Sequence, residues 1–246
     1  MSLSRLLTLL LLATLLGGCA NKAAITPAKS AAAYFQEGET ALEKGNYDEA
    51  LTAWGKVRDS YYSPELNILA ELKIAETYYR AERYIEASTA YEDFLKQHPD
   101  HGRTEEALYW LGKSYYQQIL SPDRDQTATR SALVTFETLV KRYPQSVHRQ
   151  EAQDLVGNCR DRLADHELYV GNFYLRTDHP EAAIGRLVGL LQDYPKYNHR
   201  DETLFLLGEA YRRAGAKDKS VTAFKTLTDT FPGSEYADKA RKCSAQ

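Results

Sequence analysis

Small, apolar and turn-forming residues return along this chain in one register, five times over. Each unit begins its pattern with a glycine or alanine, carries another small residue twelve positions later in four of the five units, and has a proline at its end. The leading small residues are Gly38, Ala75, Gly112, Gly171 and Gly208. The answering residues are Ala50, Ala87, Ala183 and Ser220, and the prolines are Pro64, Pro99, Pro144, Pro195 and Pro232. A register that returns in this way predicts stacked repeats rather than an enzyme built around one site.

Large apolar residues between these markers predict two helices in each unit. The second helix carries one large residue and, three positions later on the same face, another. These pairs are Trp54 with Val57, Tyr91 with Phe94, Phe136 with Leu139, Leu187 with Leu190, and Phe224 with Leu227. Two helices approach closely where one presents glycine or alanine, so the small pair predicts the crossing of a hairpin, and the proline predicts its end. We therefore expect an all-α fold, an α-solenoid of five helical hairpins that resemble tetratricopeptide repeats.

Two interruptions of the register fall in the middle of the chain. The separation of Gly112 from Ala132 is twenty rather than twelve, which predicts a long loop over residues 119–126. A further fourteen residues precede the fourth unit, and the pattern from Gln150 to Tyr174 predicts a single helix of about 35–40 Å. We expect this helix to connect repeats three and four as a stiff rod.

The amino terminus carries a targeting signal. Arg5 precedes an apolar run that is too short to span a bilayer comfortably, and Leu16-Gly17-Gly18-Cys19 follows it. This resembles a bacterial lipoprotein signal, although an ordinary secretory signal with a chance cysteine is the alternative. The expected organisation is a signal peptide over residues 1–18, a lipid attached to Cys19, a tether over 19–30, repeats one to three over 31–146, and the long helix with repeats four and five and a carboxy-terminal cap over 147–246.

Charge is distributed unevenly along the chain. The net charge is −3, but residues 31–101 hold 14 acidic and 7 basic side chains, whereas residues 102–246 are nearly balanced. An acidic front half argues against nucleic acid as a partner, although solvated outer helix faces account for much of this charge. Cys159 lies on an apolar stripe and is expected to pack in the core, with a bridge to Cys243 left open.

No group of residues predicts catalysis. His98 and His101 lack further ligands for zinc, and Asp123-Arg124-Asp125 lacks the glycine and the distal glutamate of a calcium loop. Phosphate-binding loops and nucleophile motifs are also missing from the sequence. We expect a protein that is not an enzyme, with no metal and no cofactor apart from the lipid on Cys19.

The first helices of stacked hairpins predict a groove that binds peptide. Positions five, nine and twelve of each unit are expected to face it, and mixed aromatic and charged side chains suit an extended polypeptide. In the first three units these positions are Phe35, Glu39, Leu42, Leu72, Glu76, Tyr79, Tyr109, Lys113 and Tyr116. The alternative for any one of them is packing between neighbouring repeats.

Within the repeat class, the mature chain resembles the BamD family of outer-membrane assembly lipoproteins. The stretches that carry the resemblance are Gly45–Ala50, Phe94–Pro99, Asp123–Asp125, Asp161–Ala164 and Gly185–Pro195. The resemblance implies a lipid-anchored protein on the periplasmic face of the outer membrane. Its front repeats would bind extended segments of unfolded β-barrel proteins, and its back repeats would dock on the periplasmic domain of the insertase BamA. Arg186 matches an arginine of the family and becomes the candidate docking residue, while the loop after Tyr116 is shorter than in enteric members.

Three other readings are open to the sequence. A periplasmic repeat lipoprotein of pilus assembly, or a relative of the cell-division coordinator CpoB, would carry similar repeats. CpoB-like chains usually begin with a coiled coil, and residues 20–33 show no heptad pattern. An enzyme that acts on the cell wall is the most distant reading.

Overall fold

The computed structural model describes residues 29–60 and 63–244 of the chain, and these form eleven α-helices and no strand. The helices are α1 (Ala31–Glu43), α2 (Tyr47–Arg58), α3 (Pro64–Arg80), α4 (Tyr84–Gln97), α5 (Thr104–Gln117), α6 (Thr127–Arg142), α7 (Arg149–Arg176), α8 (Pro180–Asp193), α9 (Arg200–Arg213), α10 (Lys217–Thr230) and α11 (Glu235–Ser244). The predicted signal peptide, Cys19 and most of the tether lie outside the described residues.

The helices pair into five hairpins, which confirms the predicted solenoid. Each helix packs on the next along the chain, and α11 covers the last hairpin by packing on α9 and α10. First helices of neighbouring repeats also contact each other directly, as in α1 with α3, α3 with α5, and α7 with α9. Among the described residues no two successive second helices pack to the same extent. The first helices therefore lie on the inner side of the stack.

The leading glycine of a repeat receives the large side chain of the second helix. A Cβ built on Gly38 would lie 2.7 Å from the Trp54 ring, and one on Gly208 would lie 2.4 Å from Phe224. Gly112 faces Phe136 in the same way, at 2.5 Å. The answering small residues are buried too, and Ser220 Oγ donates a hydrogen bond of 2.8 Å to the Gly208 carbonyl. The predicted crossing is confirmed, and the glycine accommodates the large side chain as well as the small residue.

Prolines mark the helix ends, with one correction. Pro99, Pro144, Pro195 and Pro232 each lie two residues beyond the end of a second helix. Pro64 instead begins α3, because α2 has already ended at Arg58. A first-turn proline loses no helical hydrogen bond, since the first N–H groups of a helix have no partner within it.

The turn inside four of the hairpins uses a left-handed residue at one register position. Gly45 and Gly215 have φ of +76° and +75°, and Glu82 and Asp178 have φ of +58° and +61°. Each of these residues lies just after the end of the first helix, where a left-handed conformation commonly ends a helix. Gly45 ends the first helix of the first hairpin in this way.

The inserted loop between α5 and α6 is held by one buried side chain. Gln126 is 1% exposed, and its Nε2 donates to the carbonyls of Ser121 and Arg124 at 2.9 and 3.1 Å. Its Oε1 accepts from Thr129 Oγ1 at 2.8 Å. The loop also contacts the long helix, since the Pro122 carbonyl lies 2.6 Å from His166 Nδ1.

Helix α7 is the predicted long helix, at about 42 Å for its 28 residues. It is not a bare rod, because both halves pack. Leu155 and Cys159 join a core cluster with residues of α5 and α6, while Leu175 joins one with residues of α8, α9 and α10. Cys159 is fully buried, as predicted, and both it and Cys243 are free thiols. Burial raises the pKa of the Cys159 thiol to about 12.

Candidate functional site

The candidate site is the surface of α1, α3, α5 and α7 on the inner side of the stack, called here the first-helix face. Each of these helices also contacts its own hairpin partner and, for α3, α5 and α7, the hairpin before it. Only a narrow stripe of each helix is left for the surface. The predicted groove residues therefore divide between this stripe and the core.

A row of ion pairs joins the first two repeats on this face. Lys73 Nζ lies 3.0 Å from Glu39 Oε1 and 3.0 Å from Glu76 Oε2. Arg80 Nη1 lies 3.8 Å from the other oxygen of Glu76. Burial alone would lower the pKa of Lys73, but its bonds to Glu76 and Glu39 outweigh burial and leave that pKa raised. The two predicted glutamates are thus brought together through a lysine that the sequence did not single out.

A row of aromatic rings leads from Tyr79 on the face, through the buried Tyr109, to the turn before α7. Tyr79 meets Trp110 edge to face with ring centroids 4.8 Å apart, and Trp110 meets Tyr109 at 5.1 Å. Tyr109 then stacks on His148, with centroids 3.8 Å apart and planes 13° apart. Trp110 and His148 were not predicted as part of the site. Their positions fall outside the three chosen from the repeat register.

Glu151 of α7 binds two of the predicted residues at once. Tyr109 donates its hydroxyl to Oε2 at 2.8 Å, and Lys113 Nζ lies 2.9 Å from Oε1. The bond from Lys113, followed by that from Tyr109, holds the pKa of Glu151 below its usual value. Burial and the bond to Glu151 raise the pKa of Tyr109. These contacts join repeat three to the long helix.

Three of the nine predicted groove residues belong to the core. Leu42, Leu72 and Tyr109 are 2%, 6% and 6% exposed. The first two fill core clusters with Trp54 and Tyr91, respectively, so these side chains do not form a groove wall. The physical reason is that a first helix contacts neighbours on several sides.

The other six remain partly accessible on the first-helix face. They are Phe35, Glu39, Glu76, Tyr79, Lys113 and Tyr116. Phe35 rests edge to face on Trp54, with centroids 4.9 Å apart. Tyr116 lines a cleft of about 420 Å³ between the end of α5 and the middle of α7, opposite Asp161 and Asp165. The accessible part of the face thus combines aromatic rings with charges of both signs.

Arg186 lies on the exposed side of α8, away from this row. Its Nη1 lies 3.1 and 3.3 Å from the two carboxylate oxygens of Glu167 on α7. The side chain of Arg186 is 46% exposed. Gly185 and Gly189 beside it have no atom within 4 Å of a built Cβ. The arginine therefore lies on a smooth, low surface that another chain can approach closely.

Within the described ranges, no group of three or more His, Cys, Asp or Glu side chains is arranged to hold a metal ion. None of the helices described here is both long and apolar enough to cross a bilayer.

Comparisons with known proteins show which proteins this chain is similar to. Residues 27–223 match the model of a family, YfiO, described as outer membrane lipoprotein. The chain is 29% identical over 241 residues to outer membrane protein assembly factor BamD of Rickettsia prowazekii, covering 96% of this chain and 95% of that protein. It is 28% identical over 236 residues to the protein of the same name in Caulobacter vibrioides, covering 94% of this chain and 77% of that one. Among solved structures, the TPR2AB domain of yeast Sti1, in complex with pHSP90, matches with a TM-score of 0.44 and 12% identity, covering 84% of this chain and 80% of that one.

Proposed function

Because this chain belongs to the BamD (YfiO) family of outer membrane lipoproteins, we propose that it is a non-catalytic scaffold for the assembly of β-barrel proteins. It is an outer membrane protein assembly factor, associated with the cell envelope. Its front repeats bind extended segments of unfolded barrel proteins, and its back repeats dock on the periplasmic domain of BamA. A lipid on Cys19 anchors it to the periplasmic face of the outer membrane. Family membership favours this function over a pilus-assembly or CpoB-like function.

The observation that carries the binding proposal is the mixed surface of the first-helix face. Aromatic rings such as Tyr79 offer contact area to apolar side chains, and the charges around Glu76 meet the polar groups of an extended backbone. No covalent step is needed for this activity. Binding an extended segment would keep its apolar residues from associating with other unfolded chains.

Binding by the front repeats can be tested by replacing the glutamate at the same repeat position in a front repeat and in a back repeat. Glu76 and Glu209 both occupy position nine of their units, and each pairs with a cation on its own helix, Lys73 and Arg212. We expect Glu76→Gln to weaken binding of a fluorescent peptide from the carboxy terminus of a barrel protein by about 3-fold or more, as loss of one charged contact requires. Glu209→Gln, in the back repeats, should leave the anisotropy titration unchanged. Equal effects of the two variants would contradict binding by the front repeats.

The docking proposal rests on Arg186, whose planar guanidinium suits a carboxylate of a partner. Arg160 is the matched control, because it is also exposed and also pairs with a glutamate of a neighbouring helix, Glu137, at 2.6 Å. We expect Arg186→Glu to reduce co-purification with BamA by at least 10-fold, through loss of the pair and repulsion of the partner carboxylate. Arg160→Glu should co-purify as the unsubstituted protein does. The helical circular dichroism signal of both variants should match that of the unsubstituted protein. Full recovery of Arg186→Glu with BamA would mean that this residue is not part of the interface.

A further inference from the structure

Among the described residues, none covers the face of repeat one that corresponds to the face by which repeat two docks on repeat one. In repeat two, this face of α3 includes Ile74, which shares a core cluster with Trp54 of α2, and Thr77, whose hydroxyl accepts a 3.2 Å hydrogen bond from Trp54 Nε1. Thirty-seven positions earlier, the equivalent residues of α1 are Glu37 and Thr40. Within the described part of the chain no helix precedes α1.

This uncovered face forms a groove between α1 and α2, called here the N-terminal groove. It has a volume of about 750 Å³ and runs along α1 from Ala33 to Lys44. Its most buried lining residues are Ala41 and Ala53, which are 9% and 6% exposed. Its edges carry three carboxylates, those of Glu37, Asp48 and Glu49, together with the ammonium groups of Lys44 and Lys56 and with hydroxyl and amide groups. The groove is therefore shallow and floored by methyl groups, with polar edges.

The side chains exclude a further repeat as the occupant. Where repeat two has Ile74 and Tyr78, repeat one has Glu37 and Ala41. A helix stacked here would bury the Glu37 carboxylate, where repeat two instead buries the apolar side chain of Ile74. Burying a carboxylate in this way is unfavourable. An extended segment with small side chains fits better, because its backbone can approach the alanines and hydrogen-bond to the edges.

Residues 20–28 are a segment of this composition, and they directly precede Lys29, the first described residue. They include four alanines, a lysine and no acidic residue, whereas residues 31–60 hold six acidic and three basic side chains. Ser30 caps α1 by accepting a hydrogen bond from the Ala33 N–H. Lys29 forms an ion pair with Glu37, on the groove wall, so the chain next to the segment already contacts this surface.

We propose that residues 20–28 bind in the N-terminal groove of their own chain. Nine residues extend to about 30 Å, and the groove follows α1 for about 17 Å, so the segment is long enough to fill it. Because it is covalently attached, its local concentration is of millimolar order, and weak contacts suffice for occupancy. Binding holds the amino-terminal segment against repeat one. It thereby sets the orientation of the helical stack relative to Cys19, the proposed site of the lipid anchor. This inference does not depend on which partners the scaffold binds.

The test is disulfide formation in the full mature chain, in detergent, in a Cys243→Ser background. Ala24→Cys is combined with Thr52→Cys, at the groove, or with Thr89→Cys, the same register position one repeat later. Both threonines are exposed on a second helix, and each donates its hydroxyl to the carbonyl four residues before it, at 2.9 and 3.0 Å. Cysteines bridge only when their Cα atoms come within about 7 Å. We expect the Thr52 pair to oxidise at least 10-fold faster than the Thr89 pair.

Two further variants make the result specific to sequence and charge. Replacing the rest of residues 20–28 with glycine and serine should reduce the preference for Thr52 by about 3-fold or more, to what flexible reach alone gives. Glu37→Lys should reduce the preference for Thr52 by about 3-fold, and Lys29→Glu in the same chain should restore it.

Equal oxidation rates in the unsubstituted tether would overturn the proposal. So would a preference that the glycine and serine replacement leaves unchanged, because flexible reach alone would then explain it. Disulfide-linked dimers through Thr52→Cys would show that a second copy, rather than the tether, occupies the groove.

Discussion

Four glycines set how closely the two helices of a hairpin approach. Gly38, Gly112, Gly171 and Gly208 each face the large side chain of the second helix, at distances that leave no room for a methyl group. The position of these glycines was predicted from the sequence, but the large side chain that packs on each of them, a ring in three cases and Leu187 at Gly171, was not. The sequence shows that small residues recur at one position of the repeat. The direction of the large side chain that packs against them depends on the rotamer that packing selects.

Two glycines of the back repeats separate packing from helix propensity. A Cβ at position 208 would lie 2.4 Å from Phe224, while one at position 189 would meet nothing within 4 Å. We expect Gly208→Ala to lower the free energy of unfolding by about 1–3 kcal/mol through overpacking. Gly189→Ala should raise it by about 0.5–1 kcal/mol, since alanine is the better helix former. Urea unfolding followed by circular dichroism measures both, and a neutral Gly208→Ala would mean that the hairpins separate at little cost.

The burial of individual side chains shows which part of the site could not be predicted. Positions five, nine and twelve were assigned to a groove from their place on a helical wheel, yet Leu42 and Leu72 are in the core. A wheel gives the direction of a side chain from its own helix only. How much of that direction stays open depends on how the neighbouring hairpins are rotated, which no local pattern contains.

At the scale of elements, the hairpins and the long helix follow from the sequence, and the contacts between them do not. Periodicity and proline placement predicted five hairpins and one extended helix, and α7 includes the whole predicted segment from Gln150 to Tyr174. Glu151 lies outside the repeat register, so nothing in the pattern linked it to Tyr109 and Lys113 some forty residues earlier. Such a link depends on the tertiary arrangement of α5 and α7.

That link predicts a dependence of stability on pH. Because the folded state holds the pKa of Glu151 below its usual value, its contribution is present above about pH 4.5 and is lost as the pH falls through the folded-state pKa. We expect Glu151→Gln to lower the free energy of unfolding by about 0.5–1 kcal/mol at pH 7, a small value because the carboxylate is half exposed. The difference should be smaller at pH 3 than at pH 7, because more of the Glu151 carboxyl is protonated there. Glu181→Gln, at an exposed position on α8, should show no such change in urea midpoints, and a constant deficit for Glu151→Gln at both pH values would exclude the ion pair as its cause.

At the scale of the whole molecule, charge separates the two ends of the stack. Residues 31–101 carry twice as many acidic as basic side chains, and residues 102–246 are nearly neutral. The negative potential of these repeats attracts cations, and salt at 0.1 M screens it within about 10 Å. The front repeats are therefore expected to favour segments with positive charge.

Peptide binding should show this preference directly. We expect a client peptide of net charge +3 to bind several-fold more tightly than one of the same apolar sequence with net charge −3, at 50 mM salt. Raising the salt to 300 mM should reduce that ratio towards one. Anisotropy titrations at the two salt concentrations measure it, and a ratio that does not change with salt would mean that selection depends on apolar contacts alone.

Helix α7 belongs to the cores of both halves, and its continuity has a mechanical consequence. Tilting the rear hairpins relative to the front ones would require bending an unbroken hydrogen-bond ladder or tearing one of its two halves from its cluster. The part of the first-helix face in the front repeats and Arg186 are therefore held at a fixed distance from each other. A polypeptide gripped at one end and a partner attached at the other would be presented to each other at a set spacing, and a force applied to either would reach the opposite end with little loss.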